Sequence, residues 1–513
     1  MDLAPRSYYD IAVIGGTFGA LVSGALLARR GFRVVWVRHD EPPATYTHDG
    51  LTLSRRPSAM PFLETPVFRR VLAELALGPV VRRKLAPIDP AYQVVLPGHR
   101  VDVLADRTGF LQELRREFPE LERPLAEFYA AVDTTMTELD GFLGADVVWP
   151  PAGFFERREA RRAAGAHRIR RDATRSDPLA VFPLVHALRT FVLAPARLVA
   201  RMDPDHLPTP ALLRTHGLAL RAPAAFEGGR DALAALLAEK ITQHGGDSLP
   251  RERVSKIIVE HNRVAGFETD GDRQRFGCKF VVTSLDTARA LRLAQHSASD
   301  ALAERLLGRA PRYYQYVLNL VLDARAIPMG MAQRVVVVAD QSRPLAEENL
   351  LYLECGQPDD RGRVVVLALA ILPRSGVDEG PSYLARQRER IVRSVATVIP
   401  FLGERLIALD SPHDGRPFEN LRDGTTSIVA ARWRGDAETM EVVEPEAPDS
   451  YFGVCGGALR TEVSGLLSVS PQVVAGLGEE GEMLAAVSAA RLVTASDRMR
   501  ARLRRELWSK VEA

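Results

Sequence analysis

Cysteine is scarce: the 513-residue chain has three, Cys278, Cys355 and Cys455, far apart and with no C-x-x-C pair. That excludes a redox dithiol, a zinc ribbon and a disulfide framework as organising features. Long apolar runs are missing too. The longest, Val364 to Leu372, is far below the ~20 residues a membrane-spanning helix needs, and the opening MDLAPRSYYD lacks the basic-then-apolar order of a secretory signal. A cytoplasmic protein is expected, at most peripheral to the inner face of a membrane. No charge of one sign dominates, with 67 Lys plus Arg against 65 Asp plus Glu, so net charge offers no case for a nucleic-acid partner. The eleven histidines contain no H-E-x-x-H or H-x-H spacing, and no G-x-S-x-G is present. No metal site is expected, a hydrolase has no support, and the catalytic residues stay unknown. At this length, with 46% hydrophobic residues, the chain can bury large cores in two or three domains.

What the chain does have is a well-formed opening unit, DIAVIGGTFGALVSGALLARRGFRVVWVRHD, Asp10 to Asp40. Ile11 to Ile14 suits a buried parallel strand, and a glycine-rich turn occupies Gly15 to Gly19. A helix pattern runs from Ala20 to Arg30 with Gly31 as its stop, and Arg33 to Val37 is a second, β-branched strand. In a nucleotide-binding βαβ unit the turn reads G-x-G-x-x-G: one glycine for the tight turn, one for approach of a pyrophosphate, one for close helix–strand packing. Those places hold Gly15, Thr17 and Ala20, with Gly16 between. Alanine is a tolerated variant, whereas Thr17 is expected to put a side chain where phosphate oxygens would sit. After the second strand, Arg38 stands in place of the carboxylate that binds ribose hydroxyls; an arginine there either faces a 2′-phosphate or is solvated.

Further along, IDPAYQVVLPGHRVDVLADRTGFLQELRREFPE (Ile88 to Glu120) gives two strands around a Pro-Gly turn and then an amphipathic helix. FEGGRDALAALLAEKITQHGGDSLPRERVSKIIVEHNRVAGFETDG (Phe226 to Gly271) gives a glycine pair, a helix, a strand with a V-x-x-I element (Val254, Ile257) and an RVAG strand; FVVTSLD (Phe280 to Asp286) follows. In this collinear order the chain resembles the phytoene desaturase group of the amine-oxidase-like flavoproteins. The resemblance implies an α/β fold: a Rossmann-like βαβ nucleotide domain interleaved with a mixed or antiparallel-sheet substrate domain and helical insertions. It implies FAD, and an apolar isoprenoid or lipid-like substrate whose hydride the flavin accepts. It assigns 1–75, 222–295 and 440–495 to the nucleotide domain and 76–221 and 296–439 to the substrate domain, while the residues of 496–513 themselves read as a basic amphipathic helix. It puts Gly15, Gly16, Thr17, Ala20, Arg38, Val254, Gly456 and Gly457 beside the cofactor. The residues read independently agree on the sheet: YYQYVLNLVLDA, QRVVVVAD, NLLYLECG and GRVVVLALAILPR are β-rich runs separated by turns, fit for one large, largely antiparallel sheet.

Against that family pattern, EPPATYTHDG (Glu41 to Gly50) lacks a glycine pair, LSRRPSAMP has Ser54 and Arg56 where an aspartate and a glycine belong, and RTEV (Arg460 to Val463) replaces a Pro-Gly turn. With Thr17 and Arg38, these departures fall on one pocket. FAD is therefore expected to bind weakly or not at all, with NADP through Arg38 as the lesser alternative. Rab GDP dissociation inhibitors resemble the same fold and bind a protein and its prenyl chain without redox chemistry. They supply the second reading, a cofactor-free scaffold for a lipid or a protein. Two basic segments stand apart: Glu156 to Arg175, with eight arginines against three acids, and DRMRARLRRELWSKV, with Met499, Leu503, Leu507 and Val511 on one helical face. Each is either packed and solvated on its own domain or attached to an anionic membrane surface or an acidic protein partner.

Overall fold

The computed structural model describes residues 7–169, 177–221, 224–271, 274–297, 299, 311–429, 440–443 and 454–496. The apolar N-terminal run forms strand β1 (Ser7–Ile14), followed by helix α1 (Phe18–Arg29) and strand β2 (Val34–Val37), which lies parallel to β1 with Ile14 level with Val37. Helix α1 begins two residues earlier than the apolar pattern suggests, and Gly31 closes it at φ +81°, a left-handed conformation that side chains oppose. Every residue from Phe18 to Ala28 is buried. Such a helix, apolar all round, belongs inside a protein, and here helices Gly229–Gln243 and Gly478–Ala495 pack along it.

The first sheet has seven strands. Its order is Val254–Glu260, Arg263–Thr269, Arg275–Thr283, β1, β2 and Asp247–Leu249, with Leu466–Ser468 also paired to Arg275–Thr283. Strands β1, β2, Asp247–Leu249, Arg275–Thr283 and Leu466–Ser468 run parallel, and the Val254–Thr269 hairpin is antiparallel. Three distant stretches thus meet: Val282 pairs with Val13 on one side and Leu467 on the other. Because these strands are parallel, their C-terminal ends share one edge.

The second sheet has ten strands. The four β-rich runs become Tyr313–Asp323, Arg334–Val338, Leu350–Cys355 and Arg363–Pro373, neighbours in one antiparallel array. The Pro-Gly hairpin Tyr92–Leu96/His99–Val103 joins it through a parallel pairing of Tyr92–Leu96 with Arg334–Val338. One face packs under helices Glu122–Gly144, Ala187–Val199 and Thr209–Leu220, the other under Pro381–Ala396. No described helix is long and apolar enough to cross a membrane. Of the two basic segments, helix Phe154–Ala166 is described, whereas 170–176 and 497–513 lie outside the described residues.

Candidate functional site

Gly15, Arg38, Ser284 and Ser470 each stand just beyond the C-terminal end of a parallel strand, and together they wall a cleft of about 770 Å³. Ligands of open α/β sheets bind at this edge. Gly15 turns at φ +119°, and a Cβ there would lie 1.9 Å from Ser284 Oγ. A Cβ on Gly16 would lie 2.8 Å from Glu41 Cβ, so the turn closes only without side chains. Among the described residues no acceptor takes the backbone N–H groups of Gly16, Thr17 or Phe18, at the entry to α1. The next donor, Gly19 N–H, reaches Glu482 Oε1 at 2.6 Å. The Thr17 hydroxyl is buried and faces the same carboxylate. The polar atom of Thr17 thus lies toward the floor of the cleft, while the residue itself stays on the cleft wall. Burial pushes the Glu482 carboxyl pKa up, against the pull of Arg201 and the donors on α1.

At one end of the cleft, Arg38 donates through Nε to the Glu41 carbonyl at 3.1 Å. His39 adopts φ +59° and turns Asp40 outward, so that Asp40 Oδ2 meets Arg253 Nε at 3.0 Å and Arg289 Nη2 at 3.4 Å. His39 is itself buried; its Nδ1 accepts the Val254 N–H at 3.1 Å, and burial holds the imidazole pKa down to about 4. Four of the sequence-derived site residues are not on the wall of this cleft. Val254 is off the cleft wall, its donor taken by His39. Ala20 lies within the core along α1. Gly456 and Gly457 stand one layer behind the wall, where a Cβ on Gly456 would lie 2.6 Å from the carbonyl oxygen of Gln472, itself a wall residue. Gly15, Gly16, Thr17 and Arg38 do line the cleft.

The other end is built from charges that no local motif reveals. Arg56 pairs with Glu41 and, at 3.2 Å, with Glu441; Arg201 lies 3.5 Å from Glu441 and 3.9 Å from Glu482; Arg230 pairs with Glu479. Pairing of Glu441–Val443 with Tyr313–Asp323, Glu441 opposite Gln315, fixes Glu441. Arg56 follows the hairpin Thr45–His48/Leu51–Ser54, anchored by Ser54 N–H to Asn319 Oδ1 at 3.0 Å and, at its start, by Asp231 accepting from the Ala44 and Thr45 N–H groups. Burial alone would raise the Glu441 pKa, but Arg201 and Arg56 bring it down to about 2. Behind this network a second chamber, about 110 Å³, shares Arg56, Arg201, Arg230 and Glu441 with the cleft and is otherwise walled in part by Phe62, Leu218, Tyr352 and Leu369. Sequence reasoning missed Arg201, Glu441, Glu479 and Glu482; the one available signal was acidic residues inside an otherwise small and apolar segment, LGEEGEMLAA.

No family model matches the sequence, and no curated protein is similar to it. Solved structures do match the fold. An oxidoreductase from Methanosarcina mazei is similar with a TM-score of 0.58 at 14% identity, covering 93% of this chain and 99% of that one. Putrescine oxidase bound to putrescine gives 0.59 at 13% identity, covering 95% and 99%. The fold is that of the amine-oxidase-like FAD oxidoreductases. Cyclohexylamine oxidase from Brevibacterium oxydans, at 0.54 and 13% identity over 95% and 99%, shares it. Two of the three structures named here are thus of amine oxidases, and none is named a phytoene desaturase. FAD fits the cleft of this flavoprotein fold in part. The volume and the three open N–H groups at the start of α1 suit a pyrophosphate. At the ribose end Arg38 stands at the end of β2 in place of the expected carboxylate, and the nearby Asp40 on the wall is paired with two arginines.

Proposed function

We propose that this chain is an oxidoreductase that holds an adenine dinucleotide across the 770 Å³ cleft, its pyrophosphate on the N–H groups of Gly16, Thr17 and Phe18. Those open donors at the edge of a parallel sheet are the observation that carries the reading, and FAD is the dinucleotide on which the fold is built. A redox dinucleotide bound there supplies the hydride donor or acceptor. The chain's own residues bind and orient it: the helix end takes the phosphates, and the paired Arg56, Glu41 and Glu441 stand between the cleft and the second chamber. That chamber, about 110 Å³, favours a small molecule with a polar head over a long isoprenoid or lipid, since sites for drug-sized ligands run to roughly 300–1,000 Å³.

The test is to purify the protein without additives, denature it and identify the released nucleotide, then titrate emptied protein with FAD and NADPH. Near-stoichiometric release or uptake of a dinucleotide is expected. A protein that releases none and takes up neither would overturn the reading. One observation favours the alternative of a non-redox scaffold: the Arg56 ion pairs lie across the passage that a cofactor ring would use to reach the chamber. A scaffold would be colourless and would bind neither nucleotide.

A further inference from the structure

Hydrogen-bonding capacity at the β2 end of the cleft is unusually one-sided. Arg38, Arg253 and Arg289 all face it. Its acids are engaged with cations or a helix end: Asp40 by Arg253 and Arg289, Glu41 by Arg56, and Asp286 by the Arg289 backbone N–H at 2.8 Å, which it caps. Asp270 meets Arg253 at 3.4 Å and is not a wall residue. Buried His39 sits at the same corner, uncharged, because burial holds its pKa down. Arg38 spends only Nε, on the Glu41 carbonyl, and among the described residues no carboxylate pairs with its two Nη groups. A ribose diol needs an acceptor for its hydroxyl hydrogens, and the carboxylate nearest the end of β2, Asp40, is already shared between two guanidinium groups. A phosphomonoester is an acceptor and a dianion, and it is matched by a guanidinium fork with further guanidinium groups beside it.

We infer that this end of the cleft recognises a phosphate on the adenosine ribose, so that the chain selects the 2′-phosphorylated dinucleotide, NADP(H), over FAD and NAD(H). The inference rests on the reading that the cleft holds an adenine dinucleotide. Calorimetric titration of the full-length protein, emptied of nucleotide, with adenosine 2′,5′-bisphosphate and with 5′-ADP separates the two claims. The bisphosphate is expected to bind about tenfold tighter or more, with a preference that weakens as salt rises. Arg38→Glu should erase that preference, and Arg289→Gln should reduce it, with melting temperature as the folding control and the second variant standing in if the first does not fold. Equal affinity for the two fragments would overturn the inference and leave the dinucleotide reading standing. So would stoichiometric FAD that the bisphosphate cannot displace. Failure to bind either fragment, FAD or NADPH would overturn both.

Discussion

Gly19 and Glu482, 463 positions apart in sequence, are joined by a 2.6 Å hydrogen bond from the Gly19 N–H to Glu482 Oε1. The last helix thereby sets a carboxylate against the positive end of α1 and fixes the floor of the cleft. Glu482→Leu leaves that buried N–H without an acceptor and is expected to lower the unfolding free energy by about 1–3 kcal/mol, whereas Glu482→Gln keeps the bond and costs less. Urea unfolding of the two variants distinguishes them; a neutral leucine variant would show that the bond contributes nothing.

Arg214 ties three helices together. Its Nε and Nη2 donate to Glu480 at 2.9 and 2.6 Å and its Nη1 to Asp140 at 2.5 Å, with Arg214 and Glu480 side chains wholly buried. Arg214→Met strands the Glu480 charge, and a loss of about 3–5 kcal/mol is expected. Adding Glu480→Leu should recover part of it, measured by the same unfolding curves; a double variant no better than the single would mean that packing, not charge, is at stake.

The His39 imidazole is held at about 4 by burial, below its ordinary 6.5. Between those values the unfolded chain takes up a proton that the folded chain refuses, so stability is full above pH 6.5 and declines as pH falls toward 4, by up to about 3 kcal/mol. His39→Asn removes this titration. Its stability-against-pH curve should be shallower by close to one proton in that window, and a slope identical to the parent's would rule out His39 as the source.

Thr17→Gly, the substitution that would repair the glycine motif, is expected to change dinucleotide affinity by less than about threefold, because the Thr17 hydroxyl already faces Glu482 rather than the cleft. Titration with NADPH and FAD measures it. A gain of about tenfold would restore the crowding that the motif suggests.

The unit β1–α1–β2 and the strands of the large sheet are legible in sequence because each carries a local signature: apolar runs of strand length, Gly31 after the helix, turn residues between β-rich segments. The charges of the cleft are not. Arg56 meets Glu441 only because Glu441–Val443 aligns with Tyr313–Asp323, and Glu482 meets Gly19 only because the last helix packs on α1. Motif spacing fixes where the Thr17 Cβ lies but not where its hydroxyl points. The family resemblance brings Val254 and Gly456 close to the cleft without showing that His39 and Gln472 come between.

The most direct measurement of whether a dinucleotide pyrophosphate sits at the start of α1 is hydrogen–deuterium exchange at the amides of Gly16, Thr17 and Phe18, with and without saturating NADPH or FAD. Exchange at these three is expected to slow by about tenfold or more on binding, while Gly19, already bonded to Glu482, changes little. Unchanged exchange at all three under saturating ligand would contradict a pyrophosphate at this turn.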